Sequence, residues 1–255
     1  MKVATWNVNS INVRMPQLVD WLAAAAPDVL CVQETKTVDD GFPALELKAA
    51  GYDAVFTGEK AYNGVAILSK LPISEVQMNF PDDTPEAQKR MISAKVGGIR
   101  IVNTYVPNGS ELGSEKFRFK LDWLMRLRKY MDAACDESTD VLWCGDFNVA
   151  PEAIDLWDAS RYEGHLHFSK PERAAIHYVK QWGLTDLFRE ENGDAQEFSW
   201  WDYRAGSWQR NQGLRIDHLW ASASLADKCT ACHVDKAPRA LELPSDHAPV
   251  VAEFK

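Results

Sequence analysis

No apolar run in this sequence approaches the roughly 20 residues that span a bilayer; the longest, residues 21–26, reads as a fragment of a helix. An export signal is missing as well. One lysine is followed by Asn7, Asn9, Ser10 and Asn12, where a signal peptide needs unbroken apolar chain. A cytoplasmic location and no membrane partner are therefore expected. Cysteine is sparse: five, an odd number and scattered, which argues for reduced thiols rather than a disulfide framework. Positive charge is in deficit, with 28 Lys and Arg against 37 Asp and Glu for a net charge of −9. That excludes non-specific coating of a polyanion. It does not exclude a nucleic-acid partner, because net charge is a global sum and binding faces are local; a metal ion or a focused Arg/Lys cluster would then have to offset the repulsion. Linkers, low-complexity tracts and long Pro/Gly/Ser runs are absent, so residues 1–255 read as one domain. At 46% hydrophobic and 25% charged, the composition excludes disorder and fibrous repeats.

One cysteine pattern needs a reading. Cys229-Thr230-Ala231-Cys232-His233 matches the c-type haem attachment motif, whose chemistry requires export and addition of both thiols to haem. Without an export signal the segment reads instead as a strand edge with buried or half-buried thiols. A redox C-x-x-C is equally weak, because no helix N-terminus is present to lower the thiol pKa.

What the chain does contain is an internal echo. Residues 2–6 read as a strand ending in Asn7-Val8-Asn9; a helical stretch with Leu18, Val19, Trp21 and Leu22 follows; Pro27 stops it, and a buried strand at 29–32 ends at Glu34. Further on, residues 99–105 read as a strand ending in Val106-Pro107-Asn108. Leu121, Leu124, Leu127 and Met131 then fall at helical spacing, and a buried strand at 141–144 ends at Asp146. Asp20-Trp21-Leu22 matches Asp122-Trp123-Leu124, and Asp28-Val29-Leu30 matches Asp140-Val141-Leu142, each with a carboxylate six residues after that second Asp. Two strand–helix–strand units, with β-rich stretches at 64–69, 91–96, 215–221 and 248–254, predict one α/β domain: two mixed sheets face to face, helices outside, and a pseudo-two-fold internal repeat.

Such a sandwich gathers the polar ends of adjacent strands on one edge. Asn7, Asn9, Glu34, Asn108, Asp146, Asn148, Asp217, Asp246 and His247 all lie just after or within apolar strand segments. Four acids converging on one cleft repel one another unless a cation, a proton or a basic partner sits among them. Ligands restricted to Asp, Glu and Asn oxygens suit Mg²⁺ or Mn²⁺. Asparagine adds no charge, so it can position a water or an anionic oxygen in a crowded acidic site. His247 beside Asp246 could stabilise a phosphorane-like transition state or orient a carboxylate.

These residues carry a resemblance. Trp6-Asn7-Val8-Asn9, Gln33-Glu34-Thr35-Lys36, Tyr105-Val106-Pro107-Asn108, Asp146-Phe147-Asn148, Arg215-Ile216-Asp217-His218 and Asp246-His247 resemble, in order, the motif series of exonuclease III-type apurinic/apyrimidinic (AP) endonucleases. These belong to the wider endonuclease/exonuclease/phosphatase superfamily. Residues 198–204, Phe-Ser-Trp-Trp-Asp-Tyr-Arg, form a further block of the DNA-repair branch. The resemblance implies a four-layered α/β sandwich and a Mg²⁺-dependent phosphodiesterase, with Mn²⁺ able to substitute. Glu34, with Asn7 and Asp246, would hold the metal, and Asp146 and Asn148 are also expected in the metal site. Asp146 would activate or position the attacking water with Asn148 beside it. Asp217 would orient His247 towards the scissile phosphate, and Tyr105 and Asn108 would contact that phosphate or assist the leaving group.

The implied partner is double-stranded DNA with an abasic site, a nick or a 3′-blocked end, bound by a monomer. Asn9, Arg90, Arg204 and Arg215, with Lys36, Arg173 and Arg210, are expected to line the phosphate path. Trp200, Leu214 and Ile216 match the apolar pocket for a flipped, base-less sugar. One position departs from the family. His167 stands where relatives usually carry Gly or Ser, and an imidazole there could exclude an internal abasic sugar while leaving room for a terminal phosphate. This favours 3′-phosphatase, 3′-phosphodiesterase and 3′→5′ exonuclease action over AP incision. The alternatives are a fully active general AP endonuclease, with His167 turned outward, and a lipid or inositol phosphate phosphatase, against which the 198–204 block speaks. A non-catalytic binding module on the same scaffold would be expected to have lost acids that are all present here.

Overall fold

The computed structural model describes residues 1–136 and 138–255. Along the chain the strands are β1 (Lys2–Asn7), β2 (Val29–Gln33), β3 (Asp53–Thr57), β4 (Val65–Ser69), β5 (Ile73–Met78), β6 (Met91–Val96), β7 (Ile99–Tyr105), β8 (Val141–Asp146), β9 (Leu184–Asp186), β10 (Asp217–Ser222), β11 (Cys229–Val234) and β12 (Val250–Phe254). The α-helices are α1 (Ile11–Ala25), α2 (Ala44–Ala49), α3 (Glu115–Ala134), α4 (Ala159–Tyr162), α5 (Lys170–Lys180), α6 (Leu187–Asn192) and α7 (Ala223–Ala226).

The strands form two six-stranded mixed sheets, ordered β11-β12-β1-β2-β4-β3 and β5-β6-β7-β8-β10-β9. The two orders correspond position by position. β1 and β2 are parallel and joined through α1; β7 and β8 are parallel and joined through α3. In each sheet the flanking pairs are antiparallel. The echo in the sequence is therefore a repeat of topology. Of the parallel strands, β2 and β8 are buried along their length, as expected where both faces of a sheet are covered.

Three apolar layers hold the sandwich. Between the sheets lie Val29, Ile67, Ile101, Leu142 and Leu219. Outside the first sheet, Trp21 and Leu22 of α1 pack on Trp6. Outside the second, Trp123 and Leu127 of α3 and Ile176 of α5 pack on Trp143. Local signals set the helix limits. Ser114 Oγ accepts the Phe117 N–H to start α3, Ser169 and Glu172 form a capping box at α5, and Ala26 adopts the left-handed conformation before Pro27 to end α1. Among the described residues no helix is long and apolar enough to cross a membrane.

Two strands begin two residues later than the sequence reading has them. The strand expected at 215–221 begins at Asp217, and the one expected at 248–254 begins at Val250. Leu214 and Ala248 instead pair with the irregular segment at residues 199–200, so both approaches to the sheets are drawn together beside the cleft. Cys229 and Cys232 lie on the edge strand β11, the first half-buried and the second buried in the intersheet core.

Candidate active site

The site lies where strand ends meet. Asn7 ends β1, Glu34 follows β2, Tyr105 ends β7 and Asp146 ends β8. Because β10 runs antiparallel to β8, its first residue, Asp217, pairs with Asp146. Because β12 runs antiparallel to β1, with Thr5 opposite Val250, the turn before it brings Asp246 and His247 to the same edge. That turn is fastened to β1 by Ser245 Oγ donating to Asn7 O (2.6 Å) and Trp6 Nε1 donating to His247 O (3.2 Å). Gly145 is required next to Asp146: at φ +131° a Cβ there would stand 1.9 Å from Thr104 O of β7. Asn9, Glu34, Lys36, Asn148 and His167 all have positive φ. Strained non-glycine backbone of this kind persists only when its surroundings over-determine it, and it gathers at functional sites.

The centre is a row of buried charges. His247 Nδ1 is 2.8 Å from Asp217 Oδ2, and its Nε2 is 3.7 Å from Asp146 Oδ2. Burial disfavours the imidazolium, yet Asp217 and Asp146 outweigh it and push the His247 pKa up to about 10. Burial pushes the Asp146 carboxyl up, His247 opposes, and the charges of Asp217 and Glu34 add to the rise. Ser199 Oγ donates to Asp217 Oδ2 at 2.6 Å, which together with the imidazole saturates that oxygen. Ser199 carries no signal of its own in the sequence, although it lies inside the 198–204 block; only the fold reveals its contact.

Glu34 lies beside this row. Asn7 Nδ2 donates to Glu34 Oε1 (2.8 Å) and to Asp146 Oδ2 (2.9 Å), while its Oδ1 accepts the Asn9 N–H (3.0 Å). The Asn7 amide thus bridges the two acids through its nitrogen and would have to rotate to offer oxygen to a cation. Lys36 Nζ is 2.7 Å from Glu34 Oε2. Asp246 accepts from Asn9 Nδ2 and Trp200 Nε1, both at 2.9 Å. Burial would raise the Asp246 pKa, but His247 and these two hydrogen bonds hold it below the usual carboxylate range.

A metal ion fits this donor set. Ligand atoms of Glu34, Asp146 and His247 lie within 4.8 Å of one another. A protonated imidazole between two carboxylates has no free lone pair, so the available donors are the oxygens of Glu34 and Asp146, with Asp246 and Asn7 alongside. Glu34, Asp146 and Asp246 in the cleft, with Asp217 buried behind, outnumber the His247 imidazolium and the Lys36 ammonium among them, a balance that favours a further cation.

The pocket above these groups is a cavity of about 150 Å³. Tyr105, Asn108, Asn148, Trp200, Ile216 and His167 line it with Glu34, Asp146, Asp246 and His247. Burial, then Glu34 and Asp146, raise the Tyr105 hydroxyl well above its usual range, so it is a proton donor at neutral pH. Asn148 Oδ1 accepts from Asn108 Nδ2 (3.1 Å), and Asn148 Nδ2 donates to Val106 O (3.0 Å). His167 faces inward, its Nδ1 2.8 Å from Asn148 O and its ring 6.2 Å from that of Trp200. Leu214 does not line the pocket: it is fully buried behind Trp200, with which its backbone pairs.

The expected arginine path is only partly present. Arg204 and Arg210 are exposed. Arg90 lies over the Tyr105 ring at 4.6 Å, and Arg173 lies over Phe168 and pairs with Glu163. Arg215 is not on the path at all. It is 1% exposed, and its guanidinium is 2.8 Å from both Asp155 and Asp186. Those carboxylates need a buried fork-shaped cation, and the geometry leaves no face of Arg215 for DNA.

The sandwich and its acidic cleft define a class, and comparison with known proteins agrees. The chain belongs to the endonuclease/exonuclease/phosphatase family, whose model matches residues 4–247. More particularly, it is a nuclease of the exonuclease III type. It is 36% identical to the exodeoxyribonuclease III of Haemophilus influenzae over 267 residues, covering 100% of both chains. An AP endonuclease from Archaeoglobus fulgidus superposes with a TM-score of 0.97 at 40% identity, covering 100% of this chain and 99% of that one. The 3′ phosphatase NExo from Neisseria, solved with a product DNA hairpin, gives a TM-score of 0.96 at 40% identity and the same coverage.

Proposed function

We propose that this chain is a Mg²⁺-dependent phosphodiesterase that acts as a cytoplasmic monomer on damaged double-stranded DNA and removes 3′ blocks in preference to incising at internal abasic sites. The observation that carries the chemistry is the buried row Asp217–His247–Asp146 beside Glu34. Glu34 and Asp146 would hold the metal, with Asp246 and a rotated Asn7. When bound, a divalent cation neutralises charge on the phosphate and on the departing 3′ oxygen.

The chain's own groups supply the rest. His247, protonated and aimed by Asp217, donates Nε2–H to a non-bridging phosphate oxygen and stabilises the charge that builds there. Asp146 takes the proton from the attacking water; burial raises its carboxyl in the metal-free site, and a cation held beside it would lower it again. The Tyr105 hydroxyl and Asn108 amide donate to the phosphate or the leaving oxygen.

His167 and the size of the pocket support the preference for 3′ ends. A cavity of about 150 Å³ is about half the lower end of small-molecule sites, roughly 300 Å³. With the His167 imidazole among its walls, it leaves less room for a sugar swung out of the helix than a Gly or Ser there would. The test is a labelled duplex carrying either a 3′-phosphate or an internal abasic analogue, with Mg²⁺ or with EDTA. Release of the 3′-phosphate in Mg²⁺ alone, faster than incision, is the expected result; equal rates favour a general AP endonuclease, and no cleavage of either overturns the reading.

A further inference from the structure

One buried ion pair takes no direct part in this chemistry. Lys120 lies on the inward face of α3, Glu172 lies in the first turn of α5, and both side chains are 0% exposed. Lys120 Nζ is 2.5 Å from Glu172 Oε1 and donates to two backbone carbonyls, Asn148 O at 2.8 Å and Asn108 O at 3.1 Å. Glu172 Oε1 also accepts the His167 N–H at 3.1 Å, and Oε2 accepts from Ser169 N (3.1 Å) and Ser169 Oγ (2.6 Å).

A buried pair of this kind is weak evidence for stability, because well-packed apolar residues of similar volume are often as stable or more so. Its use here lies in what it grips. Asn148 and His167, with φ of 50° and 71°, hold conformations that L-residues avoid; Asn148 O is tied to Lys120 and the His167 N–H to Glu172, one to each half of the pair. Asn148 O receives Lys120 Nζ and His167 Nδ1 together. A shift of the pair would therefore move the Asn148–Asn108 amides and the His167 ring at once.

We infer that Lys120 and Glu172 are a positioning pair that fixes the two pocket asparagines, Asn108 and Asn148, and locks the His167 ring into the pocket, and so helps to set the choice between 3′ ends and internal abasic sites. The last step rests on the 3′-end preference proposed above; the geometric part does not.

The test replaces the pair by the double variant Lys120→Met/Glu172→Leu. Groups that orient the residues of a site typically change activity by roughly 10- to 100-fold when removed. A loss of kcat in that range on a 3′-phosphate duplex is expected, with KM changed less than about threefold. The ratio of abasic incision to 3′-phosphate removal should rise. The second readout needs no substrate: in ¹⁵N NMR the His167 ring of the unaltered chain should show a single Nδ1–H tautomer, and in the variant a mixture. A Leu127→Ala variant of α3 serves as a control for simple destabilisation and should leave both ratio and tautomer unchanged. A folded double variant with the original ratio, kcat and tautomer overturns the inference. If it does not fold, Glu172→Gln takes its place: the same changes in ratio, kcat and tautomer support the inference, and their absence overturns it. Should the unaltered chain cleave none of these DNAs, the functional reading fails and the imidazole signal alone decides the pair.

Discussion

His247 presents Nδ1 to Asp217 Oδ2 at 2.8 Å, and both residues are buried. The contact orients the ring and helps to hold it protonated on both nitrogens, so Nε2–H faces the cleft. Asp217→Asn keeps the shape and removes the charge. The His247 pKa should then fall from about 10 towards the unperturbed value of about 6.5. In the proposed mechanism His247 acts in its protonated form, so activity would be lost at lower pH than before. By analogy with the Asp of hydrolytic triads, kcat should drop roughly 10²- to 10⁴-fold, while DNA affinity holds. A pH–rate profile checks both: an alkaline limb that stays in place would contradict the assigned role.

Asp146 sits at the opposite end of the row, 3.7 Å from Nε2. As the proposed acceptor of the water proton it must be ionised, so activity should rise with pH through its titration, which lies below the value of about 7 that burial gives the metal-free site, because a bound cation favours the charged form. Asp146→Asn can neither accept the proton nor offer the metal a charged oxygen. A kcat loss above about 10³-fold with near-normal DNA binding is expected, the mark of a group acting in the transition state. Full activity in Mg²⁺ would remove Asp146 from the mechanism.

Much of this is legible in the sequence because parallel, doubly buried strands announce themselves. Val29-Leu30-Cys31-Val32 and Val141-Leu142-Trp143-Cys144 are unbroken apolar runs, and each is followed by a site acid. The short strands β3, β5 and β9 carry no comparable signal: β5 is largely exposed and has an irregular register, and β9 has three residues. Arg215 misleads because a buried arginine and a phosphate-binding one look alike until Asp155 and Asp186, 60 and 29 residues away, are seen to enclose it. Lys120 has a faint signal, a charge on the face of α3 that also carries Phe117, Trp123 and Leu124. Its partner Glu172, 52 residues on, has none beyond the capping box.

His167→Gly and His167→Ser address the pocket wall. The imidazole lies 6.2 Å from the Trp200 ring and takes up space that a small residue would open. Incision at an internal abasic analogue should rise at least about tenfold, a typical effect for one misfitting group in a binding pocket, while 3′-phosphate release is unchanged or falls. Unchanged incision in both variants would mean that the ring does not gate the site.

Salt dependence separates the arginines. Each phosphate contact releases a counterion and adds about −0.9 to the slope of log K against log salt. Arg204→Ala and Arg210→Ala, at exposed positions, should make the slope shallower by about that amount each if they touch phosphates. Arg215→Met should leave the slope alone and instead destabilise the fold by roughly 3–5 kcal/mol, because Asp155 and Asp186 lose a buried partner. A changed slope with unchanged stability for Arg215→Met would reverse the assignment.

The same buried cluster sets a dependence of stability on acid. His218 is fully buried; Arg215 Nη1 is 3.1 Å from its Nδ1, and its Nε2 is 3.3 Å from Val149 O. The neutral ring accepts the first contact and donates the second. Burial, then the charge of Arg215, lowers its pKa to about 4, against about 6.5 in the unfolded chain. Between those values the unfolded chain binds a proton that the folded chain refuses. Stability contributed by the neutral ring is therefore complete above pH 6.5 and is lost as pH falls towards 4, by up to about 3 kcal/mol. His218→Gln cannot titrate, so the difference in urea midpoint between pH 7.5 and pH 4.5 should shrink in that variant. His167, lowered to about 4 by burial and Lys120, contributes equally to both chains and cancels. An acid loss of the same size with and without His218 would show that this imidazole is not the group that resists protonation.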